Sequence, residues 1–295
     1  MIQDPRHNEI NALVRLIEDP DPNVYENVSE RLRSIGLPVV SILEEEWSRS
    51  ENGLPHQGKI EKLIREIRIE DIKTDLHKWR ESSNRDLLKG AMILNKFQYP
   101  NLDFANIEAE MEKISRMVWL EINDNNTAFE IVKVINYVLF EECGFTVSNS
   151  EFLAPRHSYI ESLLKSKKGN QLSLAILYSI IAQRLKIPIY GVNFHTHFVL
   201  GFVDERQTLK MLGMAHDDRN ILFYINPERK GKIFDHNEIE NYLRNLNLPL
   251  QKDYFEPCSN SQILKMLIQN LTVSYSQAGE ESKVEDLRQL QEILG

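Results

Sequence analysis

The sequence predicts an α+β protein that is predominantly helical and carries a small antiparallel sheet. Apolar residues recur at helical spacing as far as Leu185, and short runs of β-branched and aromatic residues follow Pro188. With 295 residues, of which 42% are hydrophobic, the chain can bury a substantial core. This length favours about two domains.

Short amphipathic helices make up the N-terminal region. Apolar residues form one helical stripe over residues 10–17 and another over residues 24–35, and the run 19–23, Asp-Pro-Asp-Pro-Asn, breaks the helix between them. Gly36 follows the second stripe at a position typical of a C-cap. This order of helices and turns resembles a HEAT-type repeat, so we expect a HEAT-like helical region over residues 1–85.

Longer helices and then strands follow from Asp86 onward. The helix over residues 171–185 is apolar on all sides, which is typical of a buried helix at the centre of a domain. Asp235 and Glu238 predict a capping box at the start of a later helix. We expect one domain over residues 86–250 and a C-terminal helical pair over residues 251–295. The predicted strands are 189–194, 197–203, 221–225 and 232–234, and the predicted final helices are 260–277 and 281–294.

The charge of the chain argues against nucleic acid and anionic membranes as partners. It carries 44 acidic and 35 basic side chains, a formal net charge of −9, whereas such partners require concentrated positive potential. The two cysteines make no disulfide framework, and there is no export signal and no run of about 18 apolar residues. We therefore expect a cytoplasmic protein with no cofactor.

Residues 158–203 place a helix before two strands as a cysteine hydrolase does, yet the stretch contains no cysteine. The segment from Gly90 to Gly231 resembles the SirB-type family of bacterial transglutaminase-like proteins, and the block 169–200 carries the most specific part of this resemblance. The matching pieces are 97–103, 139–145, 158–159, 169–200 and 225–227 with Gly231. The final helical pair lies where relatives carry tetratricopeptide-like helices.

The resemblance implies where a catalytic triad would stand. In the wider superfamily a cysteine begins the central helix, a histidine begins a following strand, and an aspartate on the next strand orients that histidine. Gln171, His197 and Asn226 fall on these three positions, so only the histidine is retained. An amide nitrogen has a delocalised lone pair, and Gln171 therefore cannot attack a carbonyl. Relatives keep aspartate where Asn226 stands.

Other side chains are candidates for a substitute nucleophile or for ligands. Ser173 is turned by about 200° from position 171 along the helix, which argues against it as a nucleophile. We expect His157, Asn170, His195 and His197 as candidates to line a pocket. His195 and His197 lie two apart on a predicted strand and would make a weak start for a metal site, whereas the alternative is a structural His197 bonded to Asn226.

These observations favour a non-catalytic protein that acts as a cytosolic protein-interaction or regulatory module, with a protein partner of unknown identity. The two cysteines do not supply the missing thiol, because Cys143 is expected to pack as a small apolar side chain and Cys258 lies in a polar loop. The alternative is a hydrolase or amide-processing enzyme that uses His197 with water or a metal ion.

Overall fold

The computed structural model describes residues 5–49, 54–148, 154–194, 197–204, 221–245, 247 and 252–295. The chain forms two compact units, Met1–Lys78 and Trp79–Gly295. The sequence-based division at residues 85 and 250 stays a prediction. The C-terminal helical pair packs within the second unit.

Helices alone form the first unit over its described residues, and the two predicted stripes supply much of its core. Side chains that are almost fully buried come from each helix, among them Val14, Leu32, Leu43 and Leu63. Gly36 ends the second helix with φ 78°, and its N–H donates to the Leu32 carbonyl, which confirms the predicted C-cap. The helices are α1 (Pro5–Arg15), α2 (Pro22–Ile35), α3 (Val40–Arg49) and α4 (Leu54–Glu81), the last of which ends beyond Lys78.

The second unit begins with α-helices whose ends follow local sequence signals. Thr127 and Glu130 form a reciprocal capping box at the start of one helix. Its continuation over Tyr137–Glu142 is a π-helix, and Gly144, with φ 72°, follows it. The helices of this part are α5 (Leu87–Asn95), α6 (Phe104–Glu121), α7 (Ala128–Asn136), α8 (Ile160–Ser166) and α9 (Gln171–Arg184).

Two sheets accompany these helices. The strands β1 (Thr146–Val147) and β2 (Lys168–Gly169) pair in parallel just before α9. A four-stranded antiparallel sheet has the order β3-β4-β5-β6, which confirms the predicted small antiparallel sheet. Its strands are β3 (Ile189–Phe194), β4 (His197–Val203), β5 (Ile221–Asn226) and β6 (Lys232–Phe234).

Helix α9 is the central helix of the second unit. Every residue from Leu172 to Ala182 is buried, as its all-round apolar pattern predicts. It contacts β3, β4 and the short 3-10 turn Pro227–Arg229 that follows β5. A separate apolar cluster joins Val192, Phe194 and Val199 of the sheet to the helix α10 (His236–Asn245).

The last two helices, α11 (Asn260–Gln277) and α12 (Glu281–Leu294), complete the second unit. Helix α11 runs antiparallel to α9, because Asn270 bonds to Asn170 at one end and Asn260 bonds to Gln183 at the other. Near the end of α12, the carbonyl of Ile293 accepts a hydrogen bond from the Arg80 guanidinium. Every helix of the described residues is too short or too polar to cross a lipid bilayer.

Candidate functional site

The three predicted triad positions lie on separate elements of the second unit. Gln171 begins α9, His197 begins β4 and pairs with Phe194, and Asn226 ends β5. Helix α9 packs on β4 and on the turn after β5, so these elements are neighbours in the fold. The side chain of His197 and the whole of His195 lie outside the described residues. The distance from Gln171 to His197 and the histidine pair therefore stay predictions.

Gln171 occupies the first turn of α9, the position that the resemblance assigns to a thiol. The residue is half-buried, and its amide nitrogen Nε2 is shielded from solvent. Within the described part of the chain, this nitrogen has no hydrogen-bond partner. A shielded amide donor without a hydrogen-bond partner destabilises the folded state. The Nε2 of Gln171 therefore contributes no stabilising hydrogen bond at this position.

Asn170, one of the predicted pocket residues, instead anchors the central helix. It is 6% exposed, and its Oδ1 accepts the Ser173 backbone N–H at 2.8 Å as an N-cap. Its Nδ2 donates to the Ser158 Oγ at 2.9 Å and to the Asn270 Oδ1 at 3.0 Å. Ser158 also donates to Asn270 at 2.7 Å. The start of α9 is thereby tied to the turn before α8 and to α11.

The hydroxyl of Ser173 is committed to the backbone. The residue is fully buried, and its Oγ donates to the His157 carbonyl at 2.7 Å, with the Asn170 carbonyl at 3.1 Å. Gly169 is required beside it, because a Cβ at that position would lie 2.4 Å from this Oγ. His157, another predicted pocket residue, is buried in the 3-10 turn Pro155–Ser158. The argument against a serine nucleophile is confirmed by this geometry.

Asn226 uses its side-chain carbonyl to form a local turn. Its Oδ1 accepts the backbone N–H groups of Glu228 at 3.0 Å and of Arg229 at 3.3 Å. The Nδ2 of Asn226 makes no hydrogen bond to any residue that the structure describes, and the residue lines a cavity of about 240 Å³. Arg229 and Lys232 line the same cavity and were not singled out from the sequence, where they are ordinary polar positions.

Neither cysteine offers a reactive thiol. Burial raises the pKa of the Cys143 thiol. Burial also raises the pKa of the Cys258 thiol, and this effect is larger than the opposing effect of a hydrogen bond from the Asn193 backbone. A raised pKa leaves less thiolate at neutral pH, and the thiolate is the nucleophilic form. Cys258 lines a second cavity, of about 340 Å³, with Asn193 and Lys265.

A metal site would need at least three suitable ligands close together. Across the residues described here, no three histidine, cysteine, aspartate or glutamate side chains form such a group. The weak metal candidates His195 and His197 have side chains outside this part of the chain, so that suggestion stays a prediction.

Comparison with known proteins places this region in a family context. A family model described as the transglutaminase-like superfamily matches residues 105–269, which include the whole of α9 and the four-stranded sheet. No solved structure shows a significant match to the chain.

Curated relatives share parts of the chain at low identity. A UPF0162 protein of Vibrio cholerae is 30% identical over 118 residues, 39% of this chain and 43% of that protein. A UPF0162 protein of Pseudomonas aeruginosa is 26% identical over 196 residues, 66% of each chain. Human F-box only protein 21 is 24% identical over 135 residues, 38% of this chain and 22% of that protein. The chain spans only 41% to 43% of the length of the Xylella fastidiosa and Vibrio cholerae relatives.

Proposed function

The chain belongs to the transglutaminase-like superfamily, and we propose that it is a non-catalytic member that acts in the cytoplasm as a protein-interaction or regulatory module. The observation that carries this proposal is the residue at the start of α9. Gln171 begins this helix, at the position that the resemblance assigns to the attacking thiol, and a carboxamide cannot form an acyl-enzyme because its nitrogen lone pair is delocalised.

The other candidate groups in the chain support the same conclusion. A substitute nucleophile would need a free hydroxyl or thiolate beside a base. The Ser173 hydroxyl donates to a backbone carbonyl, and burial raises the pKa of both cysteine thiols. The side-chain carbonyl of Asn226 accepts two backbone N–H groups. In an enzyme this group would have to orient a histidine instead.

An exposed apolar surface at the α6–α7 connection supports a binding role. Trp119 and Leu120 lie at the end of α6 with 63% and 68% of their surface exposed, and Phe129 lies at the start of α7 with 45% exposed. Large apolar side chains exposed together are typical of protein-binding surfaces, where aromatic residues supply much of the affinity. The HEAT-like first unit and the tetratricopeptide-like pair α11–α12 would add helical surface of the kind that binds other proteins.

The proposal is tested by capturing partners with the full chain and variants of it from lysate of the source cells. Trp119→Ala with Leu120→Ala should remove the main partners, because truncating a central apolar anchor costs roughly 2 kcal/mol or more of binding free energy. Val273→Ala, at another exposed apolar position, is the matched control and should leave capture unchanged. His197→Ala should also leave it unchanged.

The same samples separate the module from the alternative enzyme. The unmodified chain is incubated with amide, ester and peptide substrates, with and without added zinc, and product is measured by mass spectrometry. We expect no turnover. Turnover that disappears in His197→Ala would establish the hydrolase instead, and partners retained by the α6–α7 double variant would remove the proposed surface.

A further inference from the structure

The cavity beside Asn226 has an apolar floor and a polar rim. Phe194, Val199 and Ile239 form buried parts of its lining, and Phe234 packs with the same cluster. Its volume of about 240 Å³ is below the usual range for drug-sized ligands. A single branched or aromatic group is therefore the largest apolar part that it would hold.

Three side chains that can donate hydrogen bonds line this cavity. Arg229 and Lys232 line the cavity, and in the part of the chain that the structure describes neither forms an ion pair. The Asn226 Nδ2 is a third donor there, because the Oδ1 of this residue is already held by the Pro227–Arg229 turn. Asn226 and Lys232 are also paired across β5 and β6, which brings two of the three donors together.

The other charges at this end of the sheet are partly committed elsewhere. Lys230, between the two cavity cations in sequence, pairs with Glu141 at 2.9 Å and does not line the cavity. On the acidic side, Glu238 Oε2 accepts the Asp235 N–H at 3.0 Å as part of the capping box of α10. Glu228 remains as an acceptor on the rim. Donors to an anion therefore outnumber uncommitted acceptors.

We propose that this cavity binds a ligand with one apolar group and a terminal carboxylate, in which Arg229, Lys232 and Asn226 Nδ2 hold the carboxylate. The apolar group lies on Phe194, Val199 and Ile239. Charge-assisted bonds to a carboxylate are stronger than neutral ones, and a guanidinium can hold both oxygens at once. The carboxylate belongs either to a small organic acid or to a peptide that ends in an apolar residue.

Isothermal titration of the full chain tests this with matched pairs of probes. Phenylpropionate is compared with phenylpropanamide, and the peptide acetyl-Gly-Gly-Phe as its free acid is compared with its C-terminal amide. We expect each acid to bind at least about tenfold more tightly than its amide, since the amide loses the charge. The acid that binds more tightly shows whether the carboxylate belongs to a small organic acid or to a peptide. Absence of saturable binding by both acids, or equal binding of acid and amide, overturns the proposal.

Variants locate the binding within the cavity. Arg229→Ala and Lys232→Ala should each lower the affinity for the acid about tenfold. Lys230→Ala is the control cation and should change nothing. Asn226→Asp is the sharpest variant, because aspartate still accepts the two backbone N–H groups but removes the donor and adds a negative charge. This variant should lower the affinity for the acid at least as much as Lys232→Ala does.

Glu228→Gln distinguishes the ligand class. A carboxylate ligand should bind more tightly when this rim acid is neutralised, whereas a zwitterion or a cation would bind more weakly and so contradict the proposal. Thermal unfolding of each variant confirms that it folds. Equal losses of affinity in Lys230→Ala and Lys232→Ala would show a general effect of charge. That result would also overturn the assignment of the carboxylate to this cavity. These outcomes are independent of partner capture through the α6–α7 surface.

Discussion

At the scale of single residues, the start of α9 is organised inward. Asn170 and Ser173 direct their polar atoms to other parts of the protein, and only Gln171 between them carries a polar atom with no partner in the described part of the chain. That position 171 corresponds to a lost thiol stays a prediction from the resemblance, whereas the position of Gln171 in the first turn of α9 is observed. The sequence could not predict the role of Asn170, because its partner Asn270 lies 100 residues away and no local pattern links them.

Asn170→Ala should destabilise the second unit by about 3 kcal/mol. The variant loses a helix cap, about 1 kcal/mol, and the two hydrogen bonds that the buried Asn170 amide donates to Ser158 and Asn270, about 1 kcal/mol each. Ser259→Ala is the matched control, since it removes a cap at the exposed start of α11 and should cost only about 1 kcal/mol. Urea denaturation followed by circular dichroism measures both. Equal losses would contradict a structural role for the Asn170 network.

At the scale of elements, patterns that repeat over many residues predicted the structure best. The strands Ile189–Phe194 and His197–Val203 are the predicted runs of β-branched and aromatic residues after Pro188, and Asp235 with Glu238 forms the predicted capping box. The π-helix Tyr137–Glu142 was missed, because its composition is that of an ordinary helix. The strands β1 and β2 were missed because two residues each are too short to show alternation.

Helix α11 is also held by a chain of hydroxyl groups that makes stability depend on pH. The Tyr159 and Tyr275 hydroxyls lie 3.0 Å apart, and Tyr275 donates to the Gln98 side chain at 2.7 Å. Burial raises the pKa of Tyr275 to about 12 and raises the pKa of Tyr159 well above its ordinary value. In the unfolded chain, tyrosine ionises near pH 10.

We therefore expect the free energy of unfolding to fall as the pH rises from about 10 towards 12. Because the folded pKa is the higher one, the contribution is complete below pH 10 and is lost as the unfolded chain releases protons that the folded protein retains. Tyr275→Phe removes one such group and should make the fall shallower. Denaturation curves at several alkaline pH values test this, and parallel curves for the two proteins would refute it.

At the scale of the whole molecule, the net charge argues against some classes of partner but does not identify a partner. The formal net charge of −9 argues against phosphate-rich polymers and anionic lipid surfaces as partners. The fold class followed from composition and periodicity, whereas the cavity with Arg229 and Lys232 could not be predicted. Its walls come from β3, β4, β5, β6 and α10, and their meeting depends on tertiary packing alone.

We expect no binding to duplex DNA and no co-sedimentation with vesicles of anionic lipid at physiological salt. Nucleic-acid binding depends on lysine and arginine side chains that displace counterions, and the chain has an excess of acids. Gel-shift and sedimentation assays measure this, with a basic DNA-binding protein as the positive control. Salt-sensitive retention of either ligand would overturn the expectation.

The contact between Arg80 and the carbonyl of Ile293 joins residues 213 positions apart, and Asn170 likewise depends on Asn270. Domains generally fold as units while the chain is synthesised, beginning from the N-terminal side. The first unit has its core within its own residues and can form early on the ribosome. The second unit is complete only after α11 and α12 have emerged, so its apolar central helix stays incompletely covered during translation.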